Sequence, residues 1–438
     1  MAVLLFIIEL IKIPAVILGL ISMVGLILQQ KSGGEVLVGT VKTVLGLLIM
    51  SLGIGGLINA IIPIQNMFQV GFTGTGLETF VTFDEGVVGA VQSANVQELG
   101  AAIAWTLLFG YIVHILLARL TPSKYMYLTG HMIWIHAGAF AILFHSFGLN
   151  LFWTVLLASL VDGAYMTFMP ALAQPIMRLI TGSDDIAFGH GQTLLNMVGA
   201  WVGKLVGKKE DSAEDLKVPE GLNFFRDMAI SISLIMLVVA LVAAIVAVAQ
   251  AGIPEFEKNI SGGQNWLVFT LLQALGFTAG VLVLLQGVRM LIAEIVPAFK
   301  GIAEKAIPGA KPALDCPVIY PFAPNSLIIG LISGTIAQVV AMVLLALIKW
   351  PIPLPSMIAA FFASGAGAIF GNATGGRRGA WAGGFLWCFV GWFLVSFAYK
   401  FQVFGDLTAY GATALGFTVP DAIIPGIVIW AIAKLFGV

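Results

Sequence analysis

Residues 46–63 read GLLIMSLGIGGLINAIIP, and residues 280–297 read GVLVLLQGVRMLIAEIVP. The two stretches agree at a constant offset of 234 residues at Gly46, Gly53, Leu57, Ile58, Ile61 and Pro63, matched by Gly280, Gly287, Leu291, Ile292, Ile295 and Pro297. Both are apolar and belong to runs long enough to cross a bilayer as helices. The repeat therefore predicts a membrane protein built from two related halves, the alternative being a chance match between glycine-rich apolar sequences.

The composition supports a membrane protein. Of the 438 residues, 59% are hydrophobic and only 10% are charged, and the mean hydropathy is +1.02. These values are typical of a polytopic membrane protein. The net charge of −1 offers no basic surface for nucleic acid. The two cysteines, Cys316 and Cys388, have no spacing typical of a disulfide framework or a zinc site, so we expect no metal and no cofactor.

Apolar stretches divide the chain into transmembrane segments. A hydrocarbon core of about 30 Å needs about 20 helical residues. Eleven stretches are candidates: residues 4–28, 37–64, 99–120, 126–147, 151–172, 228–251, 266–296, 326–350, 357–370, 380–399 and 422–438. The first lacks a basic leader and is expected to be retained, and the ninth is short enough to be re-entrant.

The order of these segments predicts how the halves are related. The repeated sequence lies in the second and seventh segments, an odd number apart, so the second copy is inverted in the membrane. The predicted fold is thus an all-α polytopic membrane protein of about eleven transmembrane helices in two inverted repeats with re-entrant hairpins. Residues 1–172 form the first repeat, 173–227 a cytoplasmic connection with an amphipathic helix along its charged part, and 228–438 the second repeat plus a final helix.

Lysine and arginine residues predict the orientation. The odd-numbered loops carry nearly all of the loop cations, including Lys124, Arg178, Lys208 and Arg377, whereas the even-numbered loops hold only Lys258 and Lys400. Because short basic loops stay in the cytoplasm, we place the N-terminus outside and the C-terminus inside.

Two segments are apolar yet interrupted by glycine, proline and acidic residues. Residues 71–86 read GFTGTGLETFVTFDEG, and residues 307–324 contain several prolines and Asp315. Carriers with inverted repeats bind substrate where helices break near the bilayer midplane. Both segments are therefore predicted to be re-entrant hairpins, with Thr82, Phe83, Asp84, Glu85 and Asp315 as candidate substrate-binding residues. The alternative is a pair of surface loops.

Histidines provide further candidates. His131 and His136 lie in a segment without any charged residue, and a neutral imidazole offers one donor and one acceptor to a hydroxylated ligand. Trp134 between them is a candidate for stacking on a sugar ring. The alternative is that these histidines pack against a facing helix, which is our expectation for His114 and His145.

Other ionisable residues in apolar segments allow two interpretations. Asp162 lies within the fifth segment, where it is either part of a proton relay or hydrogen-bonded to a neighbouring helix. Arg289 and Glu294 stand five residues apart on one helix, so each is expected to find its partner elsewhere.

Several motifs resemble one transporter family. They are VGKKEDSAEDLKVP at 206–219, QGVRM at 286–290, Gly189-His190 and PGAKPALDC at 308–316. Together they resemble the membrane (IIC) component of the ascorbate-type sugar phosphotransferase system, over nearly the whole chain. The resemblance implies a homodimeric carrier in a bacterial inner membrane with an elevator-like motion. It also implies ligand contacts by glutamines after two Gly-His pairs, of which this sequence keeps Gln192 after His190, whereas the segment after His131 has none.

Three function classes follow. The first is a permease that carries ascorbate or a related sugar or sugar acid inward for phosphorylation by a separate IIB protein, which receives phosphate from a separate IIA protein; no residue of this chain is expected to be phosphorylated. The second is an ion-coupled secondary transporter using Asp162 or Glu85. The third, a haem-binding redox protein, is disfavoured because the five histidines show no regular pairing between helices.

Overall fold

The structure, a computed structural model, describes residues 14–74, 76–94, 96–216, 228–305 and 308–437. Parts of the first predicted segment and of the cytoplasmic connection lie outside these residues. The helices are α1 (Pro14–Leu28), α2 (Gly33–Phe72), α3 (Asp84–Ala94), α4 (Leu99–Leu120), α5 (Gly130–Ser146), α6 (Leu151–Thr181), α7 (Thr193–Val206), α8 (Met228–Ala251), α9 (Ile253–Asn259), α10 (Trp266–Lys305), α11 (Pro324–Leu347), α12 (Ser364–Lys400) and α13 (Pro420–Leu435).

Six helical stretches among the described residues are long and apolar enough to cross a membrane. They are Leu99–Leu120, Leu151–Thr181, Ile232–Ala251, Trp266–Leu284, Pro324–Leu347 and Ala359–Lys400. These stretches agree with a polytopic membrane protein. Each of the eleven predicted segments contains helix where it is described, but the number of crossings stays a prediction.

The ninth and tenth predicted segments are two helical arms that lie side by side, since the Ser364 hydroxyl donates to the Gly384 carbonyl at 2.7 Å. A short π-helical stretch, Ala359–Ala363, runs directly into α12, which changes direction at Gly376. Gly376 has a φ of +59°, and a Cβ there would lie 2.3 Å from the carbonyl oxygens of Lys208 and Asp211. Only glycine fits this break, because a side chain would be strained in the left-handed region and would also clash with these backbone atoms.

The described part of the chain is mostly helical but also contains six short strands, so the all-α prediction was incomplete. They are β1 (Thr79–Thr82), β2 (Tyr125–Tyr127), β3 (Ala187–Phe188), β4 (Lys311–Leu314), β5 (Ile352–Pro353) and β6 (Leu415–Gly416), in two parallel sheets ordered β5-β1-β6 and β2-β4-β3. Strands of two to four residues are too short to show alternating hydrophobicity, so the sequence carried no signal for them.

The two sheets exchange their central strands between the halves of the chain. β1, from the first half, lies between β5 and β6 of the second half, with Thr79 opposite Ile352 and Thr82 opposite Gly416. β4, from the second half, lies between β2 and β3 of the first, with Lys311 opposite Tyr125. Each central strand follows one of the two 40-residue helices, α2 and α10, which pack against each other.

The connection after α6 packs closely on the helical body. α7 approaches α12 through glycines: a Cβ on Gly203 would lie 2.6 Å from the Gly371 carbonyl oxygen. Small residues of this kind allow two helix backbones to touch. α7 ends at Val206, ahead of the charged stretch that we expected to form an amphipathic helix.

The prediction for that charged stretch was wrong for its described part. Residues 207–216 form turns and a single 3₁₀ turn, Ala213–Asp215. The reason lies in its polar groups, which bond to other elements instead of lining one face of a helix. Glu214 accepts hydrogen bonds from the backbone N–H groups of Asn325 and Ser326, both at 2.9 Å, and so caps α11.

Candidate functional site

The carboxyl ends of the strands in both sheets converge on one cavity of about 120 Å³. Its wall includes residues that follow all six strands within four positions: Phe83 and Asp84 after β1, His131 after β2, His190 after β3, Asp315 and Cys316 after β4, Ser356 after β5, and Thr418 after β6. Both halves of the chain thus contribute to one site, as loops at strand ends do in parallel sheets.

Two histidines and one carboxylate face each other in this cavity. Asp315 Oδ1 lies 3.6 Å from His190 Nε2, and Asp315 Oδ2 lies 3.8 Å from His131 Nδ1. These distances exceed those of ordinary hydrogen bonds. Asp315 Oδ1 instead accepts a hydrogen bond from the Cys316 backbone N–H at 2.6 Å, which fixes the carboxylate at the end of β4. The three groups are therefore positioned to share hydrogen bonds with a small ligand.

The sheet β2-β4-β3 holds the two histidine loops in register. The Leu128 N–H donates to the Ala313 carbonyl at 3.0 Å, and the Gly189 N–H donates to the Leu314 carbonyl at 2.7 Å. The Thr129 hydroxyl donates to the Gly189 carbonyl, which joins the two histidine loops directly. A Cβ on Gly189 would lie 2.7 Å from the Ala313 carbonyl oxygen, so the close approach requires glycine here.

Burial keeps the imidazole of His190 neutral. Its loop lies outside the spanning helices, and burial lowers the pKa of His190 to about 4, partly opposed by the charge of Asp315. His190 Nδ1 finds no hydrogen-bond partner among the described residues. A neutral imidazole in this setting can donate one hydrogen bond and accept another.

Asp84 joins the second sheet to the site in a different way. Its Oδ1 accepts hydrogen bonds from the backbone N–H groups of Thr418, at 2.6 Å, and Val419, at 3.3 Å. Burial raises the pKa of Asp84 to about 7, helped by the neighbouring charge of Glu85 and opposed by these hydrogen bonds. The Asp84 carboxylate is thus already engaged with the loop after β6, whereas that of Asp315 faces the two histidines.

Several buried polar atoms at the site have no protein partner among the described residues. They are Thr82 Oγ1, both amide atoms of Gln192, and Trp387 Nε1. All three residues line the cavity, and each is at least 97% buried. Because buried polar groups are nearly always hydrogen-bonded, these atoms are suited to bind water or a ligand. Asn196, one helical turn after Gln192, has the same unpartnered amide but does not line the cavity.

Eight of the ten predicted site residues lie together at this cavity: Thr82, Phe83, Asp84, Glu85, His131, His190, Gln192 and Asp315. The structure does not bring the other two to its wall. The His136 ring stacks on Tyr165 at 4.0 Å and its Nδ1 lies 2.7 Å from the Met132 carbonyl. Trp134 donates from Nε1 to Gln92 at 2.9 Å. A role for either residue in ligand contact stays a prediction.

Several lining residues were missed from the sequence, and three of them show why. Ser356 follows a two-residue strand, Trp387 lies in a glycine-rich helix, and Cys316 was noted only as an unpaired cysteine. None of them carries a local pattern that distinguishes a ligand contact from packing. Only the fold brings them to the site.

The structure also tests the secondary expectations. His114 bonds the Thr167 hydroxyl at 2.9 Å and accepts from the Tyr127 N–H at 3.1 Å, so its role is structural, as predicted. Glu294 pairs with Lys42 of α2 at 3.4 Å, as expected for a partner on another helix. Asp162 is buried against Gly110 of α4, and neither of its oxygens has a hydrogen-bond partner among the described residues.

The histidines and Asp315 could also ligate a cation. One atom each from His131, His190 and Asp315 lie within 4.8 Å of one another. Two imidazoles and a carboxylate are ligand types that zinc accepts. Our expectation that the site works without a metal therefore stays a prediction to be tested.

Comparison with known proteins identifies the family to which this chain belongs. The family described as EIIC-GAT, PTS system sugar-specific permease component, matches residues 9–421. A Mycoplasma pneumoniae protein named ascorbate-specific PTS system EIIC component is 29% identical over 410 residues, which cover 84% of this chain. The chain spans 62% of that relative's length. The match over residues 9–421 shows that this chain belongs to the family of sugar-specific permease components of the phosphotransferase system.

Proposed function

We propose that this chain is the permease subunit of a phosphoenolpyruvate-dependent phosphotransferase system. It carries ascorbate or a related sugar or sugar acid inward, and a separate IIB protein, supplied by a separate IIA protein, phosphorylates it. The observation that supports this most directly is the cavity where His131, His190 and Asp315 meet. Unsatisfied donors and acceptors beside an aromatic side chain are what a polyhydroxylated ligand needs.

We also propose that the two halves are inverted repeats. Each half has, in order, a 40-residue helix, a central strand, a helix, a flanking strand, further helix, a second flanking strand and a final helix. The reciprocal exchange of β1 and β4 supports a two-fold relation between the halves. A two-fold axis through the cavity would direct the carboxyl ends of both sheets toward one substrate from opposite sides, and the two broken segments would then be the re-entrant hairpins.

The proposed orientation puts the N-terminus outside, the C-terminus inside and the connection after α6 in the cytoplasm. Support comes from cations of the odd-numbered loops that share one end of the molecule. Lys311 and Arg178 both pair with Asp184, and the pairing of β2 with β4 brings Lys124 next to Lys311. Short basic loops of this kind stay cytoplasmic, so a soluble IIB protein would dock on this face.

The elevator-like motion and the homodimer rest on the family resemblance. Apolar side chains on α7, including Trp201 at 64% and Leu205 at 65% exposure, need cover from lipid or from a second subunit. In the proposed arrangement, a transport unit carrying the cavity slides against a dimerising scaffold.

Reconstituted vesicles test this function. With IIA, IIB and phosphoenolpyruvate on the cytoplasmic side, the transported sugar should appear inside only as its phosphate ester. Omission of IIB should abolish accumulation. Uptake of unmodified sugar driven by a proton or sodium gradient, without those proteins, would establish the alternative, an ion-coupled transporter, which the buried carboxylate of Asp162 favours.

A further inference from the structure

An open groove of about 780 Å³ lies between α7 and the second arm of α12. This arm is the part of α12 that follows the break at Gly376, residues 377–400. Among the described residues, those that line the groove are apolar except for Arg377 and Arg378. Both arginines are exposed. A large apolar surface of this kind, with charge at its edge, is typical of an interaction site.

The sequence of the arm orders these groups along one face of the helix. Arg377, Trp381, Phe385, Phe389 and Phe393 follow one another at intervals of four residues, so they form one row. The rings of Phe385 and Phe389 stack with 5.5 Å between centroids, and those of Phe389 and Phe393 lie 5.3 Å apart. Trp381 is exposed and the three phenylalanines are partly buried. The groove therefore continues as an aromatic row that starts at an arginine.

The length of this row matches one leaflet of a bilayer. Helix rise places Trp381 and Phe393 roughly 18 Å apart along the axis. A hydrocarbon core is about 30 Å thick, so one leaflet accounts for about half of that distance. The arm belongs to a helical stretch that is apolar enough to cross a membrane. An acyl chain can thus lie along the row while a headgroup stays beside Arg377.

The arginines suit a phosphate group. A guanidinium is always charged and binds phosphate oxygens through paired N–H donors. Arg377 Nη2 lies 3.7 Å from Asp211 Oδ1, and both side chains are more than half exposed, so this ion pair is weak. A guanidinium has five N–H donors, so this contact leaves most of those of Arg377 for a ligand.

The charges of the neighbouring connection do not cancel those of the arginines. Glu214 accepts from N–H groups at the start of α11 and is engaged there. The other charged residues between α7 and Leu216 are matched in number: Lys204, Lys208 and Lys209 against Glu210, Asp211 and Asp215. The two arginines are the excess charge at this end of the groove.

From these observations we infer that the groove binds an anionic phospholipid, with the headgroup phosphate at Arg377 and Arg378 and an acyl chain along the aromatic row. A phospholipid combines the negative head and the apolar tail that the groove requires. A soluble protein would meet the arginines but not a row that extends to Phe393. In the proposed orientation this lipid lies in the cytoplasmic leaflet, where anionic lipids attract basic residues.

The test compares lipids that differ in headgroup charge alone. Purified full-length protein is freed of lipid and titrated with phosphatidylglycerol or with phosphatidylcholine of the same acyl chains, and native mass spectrometry measures the bound lipid. We expect phosphatidylglycerol to bind about 30-fold more tightly, because each arginine near an anionic headgroup contributes about fivefold. Glycerol 3-phosphate, which has the phosphate without the tail, should bind far more weakly than phosphatidylglycerol.

Substitutions then assign the site. Arg377→Gln and Arg378→Gln should each weaken phosphatidylglycerol binding by about fivefold and leave phosphatidylcholine binding unchanged. Trp381→Ala should weaken both lipids alike, because it removes apolar contact and no charge. Arg119→Gln, in the last turn of α4 and away from the groove wall, is the matched control and should leave the lipid preference unchanged. Phosphatidylglycerol should raise the unfolding temperature of the unaltered protein more than that of the folded double arginine variant.

Three outcomes would overturn the inference. The first is equal binding of the two lipids, or unchanged phosphatidylglycerol binding in the folded double variant. The second is binding of glycerol 3-phosphate as tight as that of phosphatidylglycerol, which would make the arginines a phosphate site without a lipid. The third is loss of subunit association in the double variant with lipid binding retained, which would assign the groove to a second copy of the chain.

Discussion

Replacement of Asp315 is the sharpest test of the site. Its carboxylate lies 3.6 and 3.8 Å from the two histidine rings and is 14% exposed, so it faces the cavity without a short bond to either ring. A ligand hydroxyl between these groups would donate a charge-assisted hydrogen bond. Loss of such a bond in Asp315→Ala should weaken binding by about 1.5 to 3 kcal/mol, roughly 10- to 150-fold in Kd.

Comparison with Asp315→Asn separates charge from structure. The Ala variant also removes the acceptor for the Cys316 N–H, whereas the Asn variant keeps one. Hydrogen bonds to charged groups are about twice as strong as neutral ones, so Asn should lose about half as much binding free energy of a neutral ligand as Ala. Isothermal titration measures the affinities, and thermal unfolding with size-exclusion chromatography checks the fold. Unchanged affinity in both folded variants would refute our assignment of Asp315 to the site.

Three further predictions address the fold and its surroundings. Gly376→Ala should reduce the yield of folded protein, because the new Cβ meets two carbonyl oxygens, whereas Gly55→Ala, with open space around its Cβ, should not; fluorescence-detected chromatography compares them. A cysteine introduced at exposed Glu210 should react with an impermeant thiol reagent only from the cytoplasmic side. Cys316 and Cys388 are buried and should not react. Ligand binding should survive EDTA treatment, and its restoration by Zn²⁺ after such treatment would show that His131, His190 and Asp315 hold a metal.

The ion pairs around Asp184 give a prediction for pH. The hydrogen bond from Arg178, followed by those from Lys311 and Gln174, holds the pKa of Asp184 below its usual range despite some desolvation. A lowered folded-state pKa stabilises the protein above the unfolded value of about 3.9 and loses this effect as the pH falls below it. Asp184→Asn should therefore lower thermal stability equally at pH 7 and pH 5, by less than about 1 kcal/mol because the site is half exposed. A difference that vanished between pH 7 and pH 5 would contradict this account.

The sequence predicted many of the helices and several of the residues that line the cavity, for different reasons. Apolar length depends only on local composition, so α4 and α8 begin and end where predicted. Asp315 and His131, which line the cavity, could be predicted as candidates because a charged or imidazole group in an apolar or broken segment is costly and therefore informative. Their proximity, however, depends on pairing of β4 with β2, which joins residues far apart in the chain.

Other residues at the cavity could not be predicted, because their position depends on contacts between distant parts of the chain. Trp387 and Ser356 are ordinary residues locally and become site residues only through packing of α12 and β5 around the cavity. His136 is polar in an apolar segment like His131, but it lies five residues farther along α5 and turns toward Tyr165. The charged stretch was misjudged because Glu214 caps α11, a contact separated by more than 100 residues.

The exchange of strands between the halves determines when the site can form during synthesis. β1 emerges early, yet its neighbours β5 and β6 end only at Pro353 and Gly416. The first half of the chain therefore holds an unpaired central strand until nearly the whole protein has been made, and closing so long a loop carries an entropic cost before any pairing offsets it. A chain that ends before β6 contains all five histidines but lacks Thr418, Val419 and Pro420, so the wall of the cavity can be completed only by the last part of the chain to be made.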